Sequence, residues 1–198
     1  NLRQRLAEAN LAVEKGDPAL GRILELVKIR EAEGYSYDTA QASFELLARR
    51  ELGLCPEFFD VKRYKVSVER RKNKYNRMVS LSEAVVVVRI NGEKKMSVSE
   101  SMDELGNDRG PVNALSKALA KDLGPYQTMI DDMHLTDYMV RITQGGTEAV
   151  TRVVIDCEDS KGRCWSTVGV SANIVDASFE ALLDAINWKL IRDTEQNA

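Results

Sequence analysis

Histidine is almost missing from this chain of 198 residues, which holds one, and proline is scarce at four. Cysteine is little better represented, with three residues. An odd cysteine count without a C-x-x-C spacing argues against a disulfide framework and against a structural zinc site. The lone histidine, His134, falls in a polar turn, where a solvent-exposed side chain is the ordinary outcome. No H-x-E-x-x-H, G-x-S-x-G, Walker or Rossmann fingerprint occurs, so the usual hydrolytic, phosphate-binding and dinucleotide chemistries have no carrier here. No apolar run approaches the ~20 residues of a membrane span. Charge of one sign is also lacking: charged residues make up 30% of the chain, interleaved rather than blocked, for a net charge of -3. That pattern excludes a phosphate-tracking surface and makes nucleic acid an unexpected partner.

What is present is a normal globular composition, 43% hydrophobic, enough for one core plus a small helical extension. The opening residues Asn1 to Arg5 lead into a charged amphipathic helix, not a signal peptide. The missing initiator Met fits a fragment or a processed chain. A cytoplasmic location is expected, with Cys157 and Cys164, near each other across a hairpin turn at Ser160-Lys161, kept as thiols.

Residues 1–59 read as helices. Leu2, Leu6 and Val13 share a face, and Gly16-Asp17-Pro18 breaks the pattern with Asp17 as a cap and Pro18 at the first helical position. Ile23, Leu26, Val27 and Arg30 mark a second helix ended by Gly34. Ala40, Phe44 and Leu47 mark a third, from about Asp38 to Leu52, stopped by Gly53. The period then changes from 3.6 to 2. Tyr64, Val66 and Val68 alternate with polar residues. Arg70 to Ser80 reads as a long basic loop. Ala84 to Ile90 is a β-branched run, Asn91-Gly92 a hairpin turn, Lys94 to Ser99 the returning strand, and Ser101 to Arg109 a polar loop. Pro111 opens a helix with Val112, Leu115 and Leu119 on one stripe.

The same order recurs. Tyr138, Val140 and Ile142 alternate, Gly145-Gly146 turns the chain, and Ala149 to Ile155 is a second β-branched run. Asp159 to Gly162 turns into a strand from Cys164 to Val170, and a helix follows from about Asn173 to Ile191. Tyr64-x-Val66-x-Val68 matches Tyr138-x-Val140-x-Ile142, and Ser82-Glu83-Ala84-Val85 matches Thr147-Glu148-Ala149-Val150. The expected fold is therefore α+β: pseudo-duplicated βββα units, two three-stranded antiparallel sheets with two covering helices, preceded by a small helical linker subdomain. The boundaries are 1–59 for the linker and 60–198 for the duplicated domain, with repeats at about 60–125 and 132–194.

Candidates for chemistry are few. Asp131-Asp132 suggests a cation site or, more plainly, a solvated loop. Arg70-Arg71-Lys72 with Lys74 suggests an anion site or an ordinary charged loop. The two helix mouths, Arg109 to Ala114 and Gly169 to Val175, carry free N–H groups that attract a carboxylate, beside apolar residues that suit an aliphatic side chain. Asn113 or Asp137 could face an ammonium. Simple helix capping explains the same residues.

Several stretches are similar to one known family. Gly34-Tyr35-Ser36-Tyr37 and Ala42-Ser43-Phe44-Glu45-Leu46-Leu47-Ala48-Arg49-Arg50-Glu51-Leu52-Gly53 resemble the helical linker of citramalate synthases, in the 2-isopropylmalate synthase and homocitrate synthase superfamily. Gly110-Pro111-Val112-Asn113-Ala114-Leu115 resembles the first helix entry of their regulatory domain. Thr167 to Ser171 followed by Asn173 to Ser178 resembles the second. The likeness spans nearly the whole chain, and Trp165 with Ala177-Ser178-Phe179 leans toward citramalate synthase.

The resemblance implies a homodimerising regulatory domain with no catalytic residue and no metal or other cofactor of its own. Its own catalytic barrel, holding a divalent metal and joining acetyl-CoA to pyruvate, would precede residue 1. It implies a branched-chain amino acid as effector, isoleucine first, for feedback inhibition. The alternatives are a leucine-regulated 2-isopropylmalate synthase and a stand-alone amino-acid-binding or dimerising module. Carried over by position, the effector contacts are Val112, Asn113, Leu135, Tyr138, Ile142, Thr147, Val150, Ala172 and Ile174. Gly16, Gly34 and Gly53 are candidate hinges or plain helix C-caps.

Overall fold

The computed structural model describes residues 2–103, 110–144 and 149–197. The chain divides into two compact units, Glu57–Asp131 and a second made of Asn1–Pro56 with Asp132–Ala198. The first is continuous in sequence; the second is assembled from both ends of the chain.

The continuous unit begins with three antiparallel strands in the order β1 (Asp60–Lys72), β2 (Met78–Ile90), β3 (Glu93–Asp103). Helix α4 (Gly110–Ala120) packs on this sheet, and a 3₁₀ turn (Gly124–Tyr126) runs into the four-residue α5 (Gln127–Ile130). The central strand explains the packing. Ala84, Val86, Val88 and Ile90 alternate inward and are buried, as are Ala114, Leu115, Ala118 and Leu119 on α4. Asn91-Gly92 makes the β2–β3 turn with φ of 50° and 85°, the left-handed values that this dipeptide tolerates.

The long loop expected over Arg70 to Ser80 is not formed. β1 runs on to Lys72 and β2 starts at Met78, so only 73–77 turns. The Asn73 side chain closes that turn by accepting from the amides of Tyr75 and Arg77 at 2.9 and 3.1 Å. An exposed hairpin end is held by its backbone ladder and needs no apolar alternation, so its side chains are polar and gave a loop-like sequence.

The discontinuous unit repeats the plan. β4 (His134–Gln144), β5 (Val150–Glu158) and β6 (Cys164–Ser171) form a second antiparallel sheet in chain order, and α6 (Ile174–Gln196) lies on one face. Three inward residues of β6 meet α6 at its backbone. Trp165 Nε1 donates to the carbonyl of Ala185 at 3.2 Å, Thr167 Oγ1 donates to that of Ala181 at 2.8 Å, and a Cβ on Gly169 would lie 1.9 Å from that of Ala177. Two residues of strand advance about 6.6 Å and four residues of helix about 6 Å, so the two repeats stay in step. Gly169 has to be glycine for the helix to come this close.

The other face of this sheet carries the N-terminal helices α1 (Leu2–Glu8), α2 (Pro18–Glu33) and α3 (Gln41–Glu51). Leu6, Ile23, Val27, Phe44 and Leu47 share one apolar cluster with Val154 and Val168. Asp17 caps α2 by accepting from the Ala19 amide at 2.8 Å, and Gly34 ends it at φ 113°. α3 starts at Gln41, three residues after the expected Asp38. The helices therefore belong by contact with the second sheet.

Candidate functional site

The carried-over effector positions fall in both units and are described unit by unit. In the continuous unit, Val112 and Asn113 sit in the first turns of α4, half-buried, with the Asn113 amide donating to Ser101 Oγ at 3.4 Å. In the other unit, Leu135, Tyr138 and Ile142 lie on β4, an edge strand, and pair with Cys157, Ile155 and Thr151 of β5. All three take the face that α6 covers. Thr147 lies outside the described residues, as do the expected turn Gly145-Gly146 and the helix-mouth residue Arg109. Val150 is half-buried opposite Gln144, and Ala172 is exposed.

Tyr138 is the best-built of these positions. Its Oη lies 2.8 Å from Ser178 Oγ, and Ser178 in turn donates to the Ile174 carbonyl at 2.6 Å. With Ser178's one proton committed there, Tyr138 is the donor of the pair. Burial raises the Tyr138 pKa, so it stays a phenol. The α6 mouth is partly occupied by its own cap: Asn173 Oδ1 accepts from the Val175 amide at 2.8 Å. Asp137 is exposed and accepts from the Tyr138 amide.

Within the discontinuous unit the structure brings Tyr138 and Ile174 together through Ser178. Leu135 and Ile142 stand seven residues apart on β4, about 20 Å at strand rise. Ile142 is 69% exposed and Ile174 44% exposed. The result is an apolar edge, on which Val140 is also exposed, rather than a closed cavity.

A buried charge cluster in the same unit escaped the sequence reading. Lys189 is 1% exposed, and its ammonium lies 2.9 Å from Asp132, 3.3 Å from Asp159 and 2.8 Å from Asp193. Arg163 bridges Asp159 and Asp193. Asp132 is therefore no solvated loop residue, whereas Asp131 beside it is exposed. Burial disfavours the Asp132 carboxylate, but hydrogen bonds from Ser160 and Lys189 and the Lys189 charge outweigh it and hold its pKa at about 2. Asp159 and Asp193 are likewise lowered against burial, by Arg163 and Lys189. Three carboxylates here converge on a fixed ammonium. Among the described residues no group of three or more His, Cys, Asp or Glu could hold a metal ion. The one sequence signal was a lysine on the inward stripe of α6, four residues before Asp193.

Of the expected hinges, Gly16, Gly34 and Gly53 all have positive φ. Gly34 is docked: its carbonyl accepts from Arg152, and a Cβ there would meet Thr143 Oγ1 at 3.0 Å. The cysteines are free thiols; Cys157 is buried, which pushes its pKa up to about 12, and Cys164 is exposed. His134 is exposed. No helix among the described residues is long and apolar enough to cross a membrane.

The model of the LeuA allosteric (dimerisation) domain aligns with residues 38–190. The chain belongs to the LeuA allosteric (dimerisation) domain family. Among relatives, it is 38% identical over 198 residues to an (R)-citramalate synthase of Aquifex aeolicus, covering 99% of this chain and 35% of that protein. It is 40% identical over 197 residues to the (R)-citramalate synthase of Geobacter sulfurreducens, covering 98% of this chain and 35% of that protein. A 2-isopropylmalate synthase of Clostridium kluyveri is more distant, at 31% over 185 residues, with 93% of this chain and 30% of that protein covered. This LeuA domain thus spans about a third of the length of the relatives it matches.

Proposed function

We propose that this chain is the regulatory and dimerising part of a cytoplasmic, acetyl-CoA-dependent citramalate synthase, and that it binds a branched-chain amino acid, isoleucine first, for feedback inhibition. The observation that carries the reading is the match of nearly the whole chain to the two (R)-citramalate synthases at 38–40% identity, against 31% for the 2-isopropylmalate synthase. In this reading the condensation of acetyl-CoA with pyruvate takes place on a catalytic barrel in the remaining two thirds of such a protein. The divalent metal belongs with that barrel, since the acidic triad of this domain already holds Lys189.

The structure supports self-association through two surfaces. Met96, Val98 and Met102 are exposed on the face of the first sheet that lies away from α4, and β4 is an exposed apolar edge. An open edge and an open sheet face of this kind are stable in water only when covered or guarded. A second copy of the chain is the cover we assign. The effector would bind on the β4–α6 side of the discontinuous unit, its carboxylate near the start of α6 and its aliphatic side chain against Ile142 and Ile174, with Tyr138 fixing the strand to the helix. Inhibition follows if the effector favours a conformation the barrel cannot use, which requires a coupling of roughly 1–3 kcal/mol.

The test is calorimetry of the chain with isoleucine, leucine and valine, alongside sedimentation. Isoleucine is expected to bind most tightly and to a dimer. Tyr138→Ala is expected to weaken binding while the dimer persists. Tightest binding of leucine would transfer the assignment to the 2-isopropylmalate synthase reading, and no heat with any of the three would remove the effector assignment.

A further inference from the structure

A cavity in the discontinuous unit, away from β4, has the chemistry of a ligand site. It holds about 220 Å³ between α2, α3, β6 and α6. That is about seven water volumes, which a small α-amino acid fills. Its polar wall contains both signs of charge, Arg30 and Arg50 against Glu180 and Asp184, and its apolar wall is Leu26, Leu47 and Val168.

The carboxylates are one helical turn apart on α6 and unequally served. Asp184 receives Arg50 Nη2 at 2.8 Å and Ser43 Oγ at 2.7 Å. Glu180 receives only neutral donors, Tyr35 Oη at 2.6 Å and the Val170 amide at 3.0 Å, and has no ion-pair partner among the described residues. Burial raises the pKa of both carboxyls. The site has an unmet demand for positive charge beside Glu180. Arg30 uses Nη1 for Glu33 and Tyr35 and keeps the rest of its fork as donors.

Tyr37 supplies the independent observation. It lines the same cavity and is 3% exposed, and its hydroxyl has no hydrogen-bond partner among the described residues. Arg30, Asp184, Glu180 and Arg50 are the charges that act on it. Its Oη is not fully enclosed: it is open to the cavity and free to bond an occupant there.

We propose that this cavity between the N-terminal helices and the β6–α6 layer binds a zwitterionic aliphatic amino acid, at a site separate from the β4–α6 surface. The ligand carboxylate takes donors of Arg30 and Arg50, its ammonium takes second lone pairs of Glu180 and Asp184, and Tyr37 Oη joins the polar end. The aliphatic side chain lies on Leu26, Leu47 and Val168. A plain anion would leave Glu180 unanswered and a plain cation would leave the guanidinium donors unanswered; a zwitterion meets both without adding net buried charge. Because the walls come from α2, α3, β6 and α6, an occupant would tighten the seam that joins the helices to the sheet. The inference stands apart from the effector reading, because a different set of residues reports it.

The experiment is methyl NMR on the full chain, following Leu26, Leu47 and Val168 during titration with isoleucine, valine, 3-methylpentanoate and 2-methylbutylamine. The two amino acids are expected to shift these methyls at sub-millimolar to millimolar concentration, and the acid and amine, each lacking one charge, are not. Tyr37→Phe is expected to weaken the shift about tenfold, the size of one lost hydrogen bond, with Tyr138→Phe leaving it unchanged. Should Tyr37→Phe prove unfolded, Val168→Ile, which fills the apolar wall and spares every polar group, is expected to abolish binding. Equal response to the deaminated acid, or no response in the three methyls while Ile174 does respond, overturns the proposal and leaves the β4–α6 reading intact. A high-resolution crystal grown in millimolar isoleucine that shows only water in the cavity overturns it as well.

Discussion

The two βββα units start from one pattern and are finished differently. The continuous unit covers its sheet with an 11-residue helix on one face and leaves Met96, Val98 and Met102 exposed on the other. The discontinuous unit covers its sheet with a 23-residue helix on one face and three N-terminal helices on the other. A duplicated sheet and helix therefore do not dictate duplicated surroundings. One copy has been built into a layered core stiffened by buried charge, and the other keeps an apolar face available. That division suits a domain in which one part is joined to a neighbour within the chain and the other meets a second chain.

The comparison can be broken most sharply at Gly169. Gly169→Ala puts a Cβ against the Ala177 carbonyl at 1.9 Å, and backbone cannot swing away as a side chain can. The expected loss exceeds about 4 kcal/mol, read as failure of the discontinuous unit to give a cooperative melt. In the other unit the inward row of β3 already carries side chains, and Ser99→Ala there is expected to change stability by less than about 1 kcal/mol.

The charge cluster sharpens the contrast next. Lys189→Met leaves Asp132, Asp159 and Asp193 with only the half-buried Arg163 and the exposed Lys161 as cations, at an expected cost of about 3–5 kcal/mol. The pH dependence has a definite sign. The three carboxyls have lowered pKa values in the folded state, so their contribution is full above the ordinary carboxylate value of 3.8 and is lost as the pH falls through the folded values, which for Asp132 is about 2. Glu180 and Asp184 are raised and act in the opposite direction, adding stability as the pH falls through their folded values. The difference in unfolding free energy between the native chain and Lys189→Met isolates the cluster, and it is expected to shrink between about pH 4 and pH 2. In the continuous unit, Asp122 is lowered too, first by Lys95, but it stands in solvent, and amide exchange there is expected to change less over the same range.

The smallest effect on stability, and the largest on assembly, is expected at Met96. Being 66% exposed, it should tolerate Met96→Lys within about 0.5 kcal/mol. Sedimentation is expected to show weaker self-association. An unchanged dimer would mean that the exposed sheet face is not where copies meet.

The sequence carried the duplicated architecture because its signals were strong and local. Two β-branched runs, an Asn-Gly turn and two helical stripes each act over a few residues, and each reappears as an element. The helix cap at Asp17 and the stop at Gly34 were legible for the same reason. Arg70 to Ser80 was misread because a solvent-facing hairpin needs no apolar alternation. Residues 124–130 were not assigned as helical; they form a 3₁₀ turn and one short helix in which Gln127 bonds back to Ala120 and forward to Asp131. The charge cluster was invisible because Asp132, Asp159 and Lys189 meet only after the sheet and α6 have closed. The Tyr37 hydroxyl and Glu180 were missed likewise: their partners, or lack of them, are set across more than a hundred residues of chain.

The order in which the chain leaves a ribosome meets an awkward arrangement. Phe44, Leu47 and Ser43 emerge early, yet Val168 and Asp184, which they contact, come last. Everything needed for the continuous unit lies between Glu57 and Asp131, so that unit can close first. The early helices must wait, apolar faces exposed, through about 120 further residues, some ten seconds or so of translation. An amphipathic segment held open that long is where a chaperone would be expected to sit.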